Sequence, residues 1–465
     1  MRKFLMSLLT LAVSLTVLAA DRTPRYIFYF IGDGMGYGHI MTTAKWLSTF
    51  ATDSCTVFNM TSLPVSGTIT TYSASSPVTD SAAAGTALAT GSKTRNGMLG
   101  VTPDSVGVES VAEQLQELGY GVGLVTSVAA DDATPGAFYA HVPSRSMYYE
   151  IGRQAAKSGY QFIAGSQLRG LKGTDLEDVF KRNNYAIVRG LQGLKDVNKP
   201  KIVLLDPQNS SNIGFAIEND GTRMTLEAMT RACIEHLDSV SPEQFFMMVE
   251  GGAIDWAAHS NDAATVALET LSFDRALGQA LDFYREHPDE TLIVVTADHE
   301  TGGLSLGNNA TQYDAHLDLL AGQRISKNSM ADKVKAMFNS RRNYDWDDIR
   351  LMLTEDLGLW SVCPVTDEEE QALKTAWKDI FVKRVRRERE TLYGRHDDLT
   401  YTAFTVLANH AGNGWTSNAH TGNPVALFAI GVGSELFTGW KDNTDVPRTI
   451  MKAVETYRPA PVMMR

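Results

Sequence analysis

The chain has 465 residues, of which 43% are hydrophobic and 21% charged, and its formal net charge is −12. The length suits one large domain with insertions or two domains, and the composition is that of an ordinary globular protein. The acidic balance excludes bulk binding to nucleic acid or to anionic membranes, so an anionic substrate must be attracted by local positive charge, from metals or arginine.

Residues 1–20 read as a secretory signal peptide, with Arg2 and Lys3 before an apolar stretch over 4–18 and small residues at 17–20. The run is short and ends at Asp21 and Arg22, unlike a spanning helix. No cysteine follows it to accept a lipid, and no later apolar stretch is long enough to cross a bilayer. A periplasmic or secreted protein without a membrane anchor is expected. Three cysteines, Cys55, Cys233 and Cys363, lie far apart without metal-type spacing and read as separate buried thiols.

Residues 26–31 (YIFYFI) form a short, β-rich apolar run of the kind found in buried parallel strands. It ends in Gly32-Asp33-Gly34, a tight turn that presents Asp33. Residues 78–91 then read as a loop feeding a helix, with Ser81 at its start and Gly91 as its stop. Read alone, Ser81 is an N-cap, as most serines before a helix are. However, a helix N-terminus also favours an anion, and the small residues after Ser81 leave room for a substrate. A serine nucleophile still needs a base or a metal to activate it.

A helix over 109–118 precedes a strand over 120–127, and the loop beyond carries Asp131, Asp132, Thr134 and Pro135, then His141 to Arg145. Further strands are expected over 200–205, over 245–249 ending at Glu250, over 290–296 ending at Asp298-His299, and over 424–430 just after His420. Four strands thus place ligand-type residues just past their C-terminal ends. With helices between them, they imply an α/β fold: a mostly parallel sheet flanked by helices on both faces, its ligands converging at one edge. Residues 21–465 are read as a single catalytic domain with a helical insertion over about 308–409. Within that insertion, 329–338, 345–357 and 367–389 look helical, the last opened by a capping box of Thr366 and Glu369. The basic run Lys383, Arg384, Arg386, Arg387 and Arg389 reads as a solvated helix face.

Asp255 and His259 are four residues apart, which on a helix puts them on one face, able to share a metal. Asp298-His299 and His420 add ligands of the type that suits catalytic zinc, while Asp33, Thr134 and Glu250 offer the oxygens that suit magnesium. A metallohydrolase is the expectation from these residues.

Six ordered motifs resemble the alkaline phosphatase family: 32–36, 79–83, 132–135 with 141–145, 250–255 with His259, 296–299, and 420–422. They span nearly the whole mature chain apart from the helical insertion and the less distinctive stretch around 149–241. The resemblance implies metal-dependent hydrolysis of phosphate monoesters through a phosphoserine on Ser81, with two zinc ions and one magnesium ion. It places Asp255, His259 and His420 on the first zinc, and Asp33, Asp298, His299 and Ser81 on the second. Asp33, Thr134 and Glu250 fall on magnesium, which Asp132 is expected to reach through water. Arg145 matches the arginine that clamps phosphate. Zinc on Ser81 would supply the missing activation, and Arg145 a bidentate fork for two phosphoryl oxygens. Trp256, beside Asp255, stands where relatives vary and a lysine or histidine is well known; it carries no charge to phosphate.

The rival readings are a phosphodiesterase of the same superfamily and a phosphate-binding protein without turnover. A sulfatase is set aside because Ser75-Ser76-Pro77-Val78-Thr79 lacks the arginine that its modified residue requires. Small-molecule phosphate monoesters are the expected partners, and a homodimer is left open.

Overall fold

The computed structural model describes residues 23–50 and 58–457. The proposed leader and Cys55 lie outside them. Ten strands form one sheet: β1 (Tyr26–Gly32), β2 (Val65–Thr70), β3 (Gly121–Thr126), β4 (Phe162–Gly165), β5 (Ala186–Arg189), β6 (Ile202–Leu205), β7 (Phe245–Glu250), β8 (Thr291–Ala297), β9 (Val425–Gly431) and β10 (Gly439–Asp442). Their spatial order is β10-β2-β9-β8-β1-β7-β3-β4-β6-β5. All run parallel except β9, which is antiparallel to both β8 and β2. The central strands β1, β3, β7 and β8 are buried along their whole length, which explains their unbroken apolar runs.

Alternate residues of β1 show that helices cover both faces. Phe28 and Phe30 meet Phe283 and Phe273 of the helix Ala263–Glu286. Tyr29, pointing the other way, donates to the Leu88 carbonyl of the helix Ser81–Thr90 and packs against Phe138. Cys233 and Cys363 are free and buried, as expected.

Beyond residue 307, the helices Lys327–Ser340, Trp346–Leu357, Asp367–Trp377 and Asp398–Ala411 surround a second hydrophobic cluster. Ala263, Ala264, Ala267 and Trp46 join that cluster, so the helices pack directly on the body of the sheet domain. The helix expected over 367–389 is shorter. It ends at Trp377, passes through a π turn (Lys378–Val382), and gives way to a hairpin pairing Glu388–Glu390 with Arg395–Asp397. Its apolar stripe fails there: Ile380 and Phe381 are buried but Val382 and Val385 are exposed. The basic run is therefore not a helix face. It is spent on separate ion pairs, Lys383 with Asp379, Arg386 with Glu388 and Arg389 with Asp398.

Candidate active site

Strand register sets the floor of the site. Ile31 of β1 pairs with Glu250 at the end of β7, which also pairs with Thr126 of β3, while Gly32 pairs with Ala297 at the end of β8. Asp33 and Asp298 are thus each the first residue past adjacent parallel strands, with Glu250 level with the last turn of the pleat. The turn needs its glycine: Gly34 has φ +71, and a Cβ there would lie 2.8 Å from Thr301 Oγ1 and 2.9 Å from Asp255 Oδ1. His420 joins this edge because β9 runs backwards, which puts the residues before its start beside the ends of the others.

Ser81 is not the cap of its helix. Asp80 is, accepting from Ala83 N–H at 3.0 Å, and Gly91 closes the helix in the left-handed conformation. Ser81 therefore occupies the first helical position with its hydroxyl free of capping duty. Its Oγ lies 3.3 Å from His299 Nε2. The same nitrogen is 3.1 Å from Asp298 Oδ2 and 3.4 Å from Asp33 Oδ1. Four ligand atoms thus face one point, and the two carboxylate oxygens are buried without hydrogen-bond partners.

A second group gathers Asp255, His259 and His420. His259 Nδ1 faces the Asn418 carbonyl at 2.6 Å, and His420 Nδ1 faces the Thr79 carbonyl at 2.8 Å. A carbonyl only accepts, so each Nδ1 carries a proton and Nε2 is the ring atom left to face a ligand. Those two Nε2 atoms are 3.1 Å apart, and both approach Asp255 Oδ1, at 3.4 and 3.6 Å. Burial, together with the nearby His299, pushes the His420 imidazole down to about 4, so it is neutral at pH 7. Two facing Nε2 atoms beside a buried carboxylate fit a shared cation. Each group holds its ligand atoms within 4.8 Å of one another.

The third set is all oxygen. Glu250 accepts from the Thr126 hydroxyl and lies beside Thr134, whose own Oγ1 is buried without a partner. Burial pushes Glu250 up to about 8, against the pull of Thr126 and with Asp132 and Asp298 adding repulsion. Burial and the charges of Asp298, Asp255 and Glu250 likewise raise Asp33 well above the usual carboxylate range. Acids crowded this way are relieved by a proton or by a multivalent cation, and an all-oxygen set fits magnesium.

Arg145 lies over this centre, with Nη1 3.3 Å from Asp80 Oδ2 and Nη2 3.2 Å from Asp132 Oδ1. Two of its five N–H donors are engaged and the remainder are available to a ligand. Three site residues carried no assigned role in the sequence. Asp80 both caps the Ser81 helix and holds Arg145. Arg169 grips the other oxygen of Asp132 at 2.8 Å and is itself fixed by Asp131, which accepts from its N–H at 2.9 Å. Thr301 donates to Asp255 Oδ1 at 2.5 Å. Asp80 was legible as a cap candidate, three residues before the N–H it binds; Arg169 sits in a stretch with no motif around it. Trp256 is buried and stacks on Tyr393.

The fold and this centre define a metal-binding phosphate-ester hydrolase of the α/β type. The family model for alkaline phosphatase matches residues 25–172 and 164–456. Alkaline phosphatase 4 of Bacillus subtilis is 29% identical over 442 residues, covering 93% of this chain and 89% of that protein. The solved cold-active alkaline phosphatase of Shewanella sp. is 29% identical with a TM-score of 0.79, covering 92% of this chain and 99% of the other. A mutant of the TAB5 alkaline phosphatase, described with Mg bound, is 26% identical with a TM-score of 0.65, covering 94% and 99%. The chain belongs to the alkaline phosphatase family, and its reaction is the hydrolysis of phosphate monoesters.

Proposed function

We propose that Ser81 is the nucleophile of this phosphomonoesterase and that two zinc ions and one magnesium ion assemble around it. Asp255, His259 and His420 hold the first zinc; Asp33, Asp298, His299 and the Ser81 oxygen hold the second. Asp33, Thr134 and Glu250 hold magnesium, with Asp132 reaching it through water. The nitrogen-bearing groups favour zinc and the oxygen set favours magnesium. When bound, the ions supply Lewis-acid chemistry, lowering the pKa of a nearby hydroxyl and neutralising charge on phosphoryl and leaving oxygens.

Ser81 Oγ attacks phosphorus in line. The Oγ–P bond forms as the bond to the leaving oxygen breaks, and that oxygen takes up a proton to leave as the alcohol. Water then displaces Oγ, which regains its proton as inorganic phosphate departs. Two displacements retain configuration at phosphorus. Arg145 holds two non-bridging oxygens, and Asp80 and Asp132 fix its plane. That contact supports a monoesterase, because a second ester group would need the same space. Residues 308–409 act as an insertion on a single catalytic domain, which the shared packing with Ala263 and Ala267 supports. The sequence of residues 1–20 supports export to the periplasm or beyond; among the described residues, no helix is long and apolar enough to cross a membrane.

The observation that carries the reading is the uncapped Ser81 hydroxyl facing His299, Asp298 and Asp33 at one point. Acid-quench trapping with a phosphorus-labelled monoester tests it. Wild-type protein should retain label and Ser81→Ala should not; label persisting in Ser81→Ala places the nucleophile elsewhere.

A further inference from the structure

Tyr393 enters the site from outside the sheet domain, near the tip of the hairpin that pairs Glu388–Glu390 with Arg395–Asp397. Its ring stacks on Trp256 with centroids 4.4 Å apart and planes 15° apart, and meets the His259 ring edge-on at 5.2 Å. Asn328 ties the hairpin down. Its amide donates to the Tyr393 carbonyl at 3.5 Å, and its oxygen accepts from the Ser260 hydroxyl at 3.0 Å and faces His396 Nε2 at 2.8 Å. Trp256 is a fixed support, 7% exposed and packed in a cluster with Val128, Phe215 and Leu304. The ring is therefore positioned by the catalytic body although the hairpin carries it.

The ring lies against His259 and against Trp256, the chain neighbour of Asp255, so the phenol sits beside the charged centre. The hydroxyl has no hydrogen-bond partner among the described residues. A phenylalanine would serve as cover for Trp256 equally well, so packing alone gives no use for the hydroxyl. Phosphoryl oxygens are acceptors, and a neutral phenol donates to them without adding charge to a crowded site.

We propose that Tyr393 contacts the substrate, donating a hydrogen bond from its hydroxyl to a phosphoryl oxygen, and that Trp256 is the positioning residue that holds its ring. This rests on the phosphate site assigned above to Ser81 and Arg145. It gives the helical segment a part in catalysis and gives the uncharged Trp256 a task beside Asp255. The site is complete only with the hairpin in place.

Tyr393→Phe keeps the ring and removes the donor. Inhibition by inorganic phosphate should weaken, its Ki rising about ten-fold or more as a hydrogen bond to a charged group is lost, while the melting temperature stays at the wild-type value. Trp256→Leu should also raise the phosphate Ki, but should add nothing to it in the Tyr393→Phe background, because both act through one hydroxyl. A wild-type phosphate Ki in Tyr393→Phe overturns the proposal, as does a lowered melting temperature with unchanged Ki, which marks a packing role only. Acid-quench labelling of the same wild-type preparation separates the two levels of the argument. Label on Ser81 with an unaffected Tyr393→Phe defeats this inference alone; no label on wild-type protein defeats the Ser81 reading and takes this inference with it.

Discussion

Arg145→Ala is the sharpest perturbation of the phosphate contact. The side chain is preorganised, with one nitrogen 3.3 Å from Asp80 and the other 3.2 Å from Asp132. Removing it deletes charge-assisted hydrogen bonds to phosphoryl oxygens, worth about 1.5–3 kcal/mol. At 1.36 kcal/mol for each factor of ten, kcat/KM for a monoester should fall roughly ten- to hundred-fold. Two further effects push the loss toward the upper end. Asp80 loses an ion pair, and Asp132 keeps only Arg169, so both carboxylates turn more of their charge on the incoming phosphate. A diester carries fewer charged oxygens and should lose much less. The assay is steady-state hydrolysis of p-nitrophenyl phosphate and bis-p-nitrophenyl phosphate by both proteins. An unchanged monoester-to-diester ratio would show that Arg145 is structural and would remove the main support for monoesterase selectivity.

Extensive chelation should abolish activity and also lower the melting temperature, because Asp33, Asp255 and Asp298 each keep a buried oxygen without a partner. A ligand held at 100 times its Kd stabilises by about 2.7 kcal/mol, so calorimetry should show the loss, with zinc plus magnesium restoring both properties; full activity in metal-free protein would end the metal mechanism. Lys327 is 3% exposed, with its ammonium over the rings of Tyr401 and Phe404, and burial lowers its pKa from 10.5 to about 8 against the opposing charge of Asp262. A base with a folded pKa below its unfolded one holds fewer protons in the folded state between those values, so stability rises with pH from about 8 to 10.5. Lys327→Met should therefore stabilise by about 1–3 kcal/mol at pH 7, and the gain should shrink above pH 8 and vanish near 10.5. Thermal unfolding of both proteins at pH 7 and pH 10 checks this; an equal gain at both refutes it.

The buried strands at the middle of the sheet were readable because burial on both faces leaves an unbroken apolar run, as in residues 26–31 and 245–249. Of the outer strands, β6 was readable from the unbroken apolar run Ile202–Leu205. The others were not: β2 is half exposed, β10 carries Trp440 at 69% exposure, the short β4 includes Ala164 and Gly165, and β5 is only partly buried. The helical pattern from 367 runs on in the sequence to about 389, past the true end at Trp377 and into the first hairpin strand, because charged residues follow directly on the apolar stripe. In the site, the ligand-type residues stood out because each sits in a glycine- or aspartate-rich turn after an apolar run.

The sequence by itself determined the chemistry available: which side chains can ligate, and that Asp33, Glu250, Asp298 and His299 follow strand ends. Those are properties of contiguous residues, set by local periodicity and turn chemistry. Only the tertiary structure decided how they are used. The reversed strand β9 brings His420 Nε2 to 3.1 Å from His259 Nε2. A helix start places Asp80, and not Ser81, in the capping position. Arg169 reaches Asp132 from 37 residues away, and Tyr393 reaches Trp256 from the far end of the helical segment. Each of these joins residues that chain connectivity leaves independent, and each is fixed by the packing of whole elements, which no local pattern encodes.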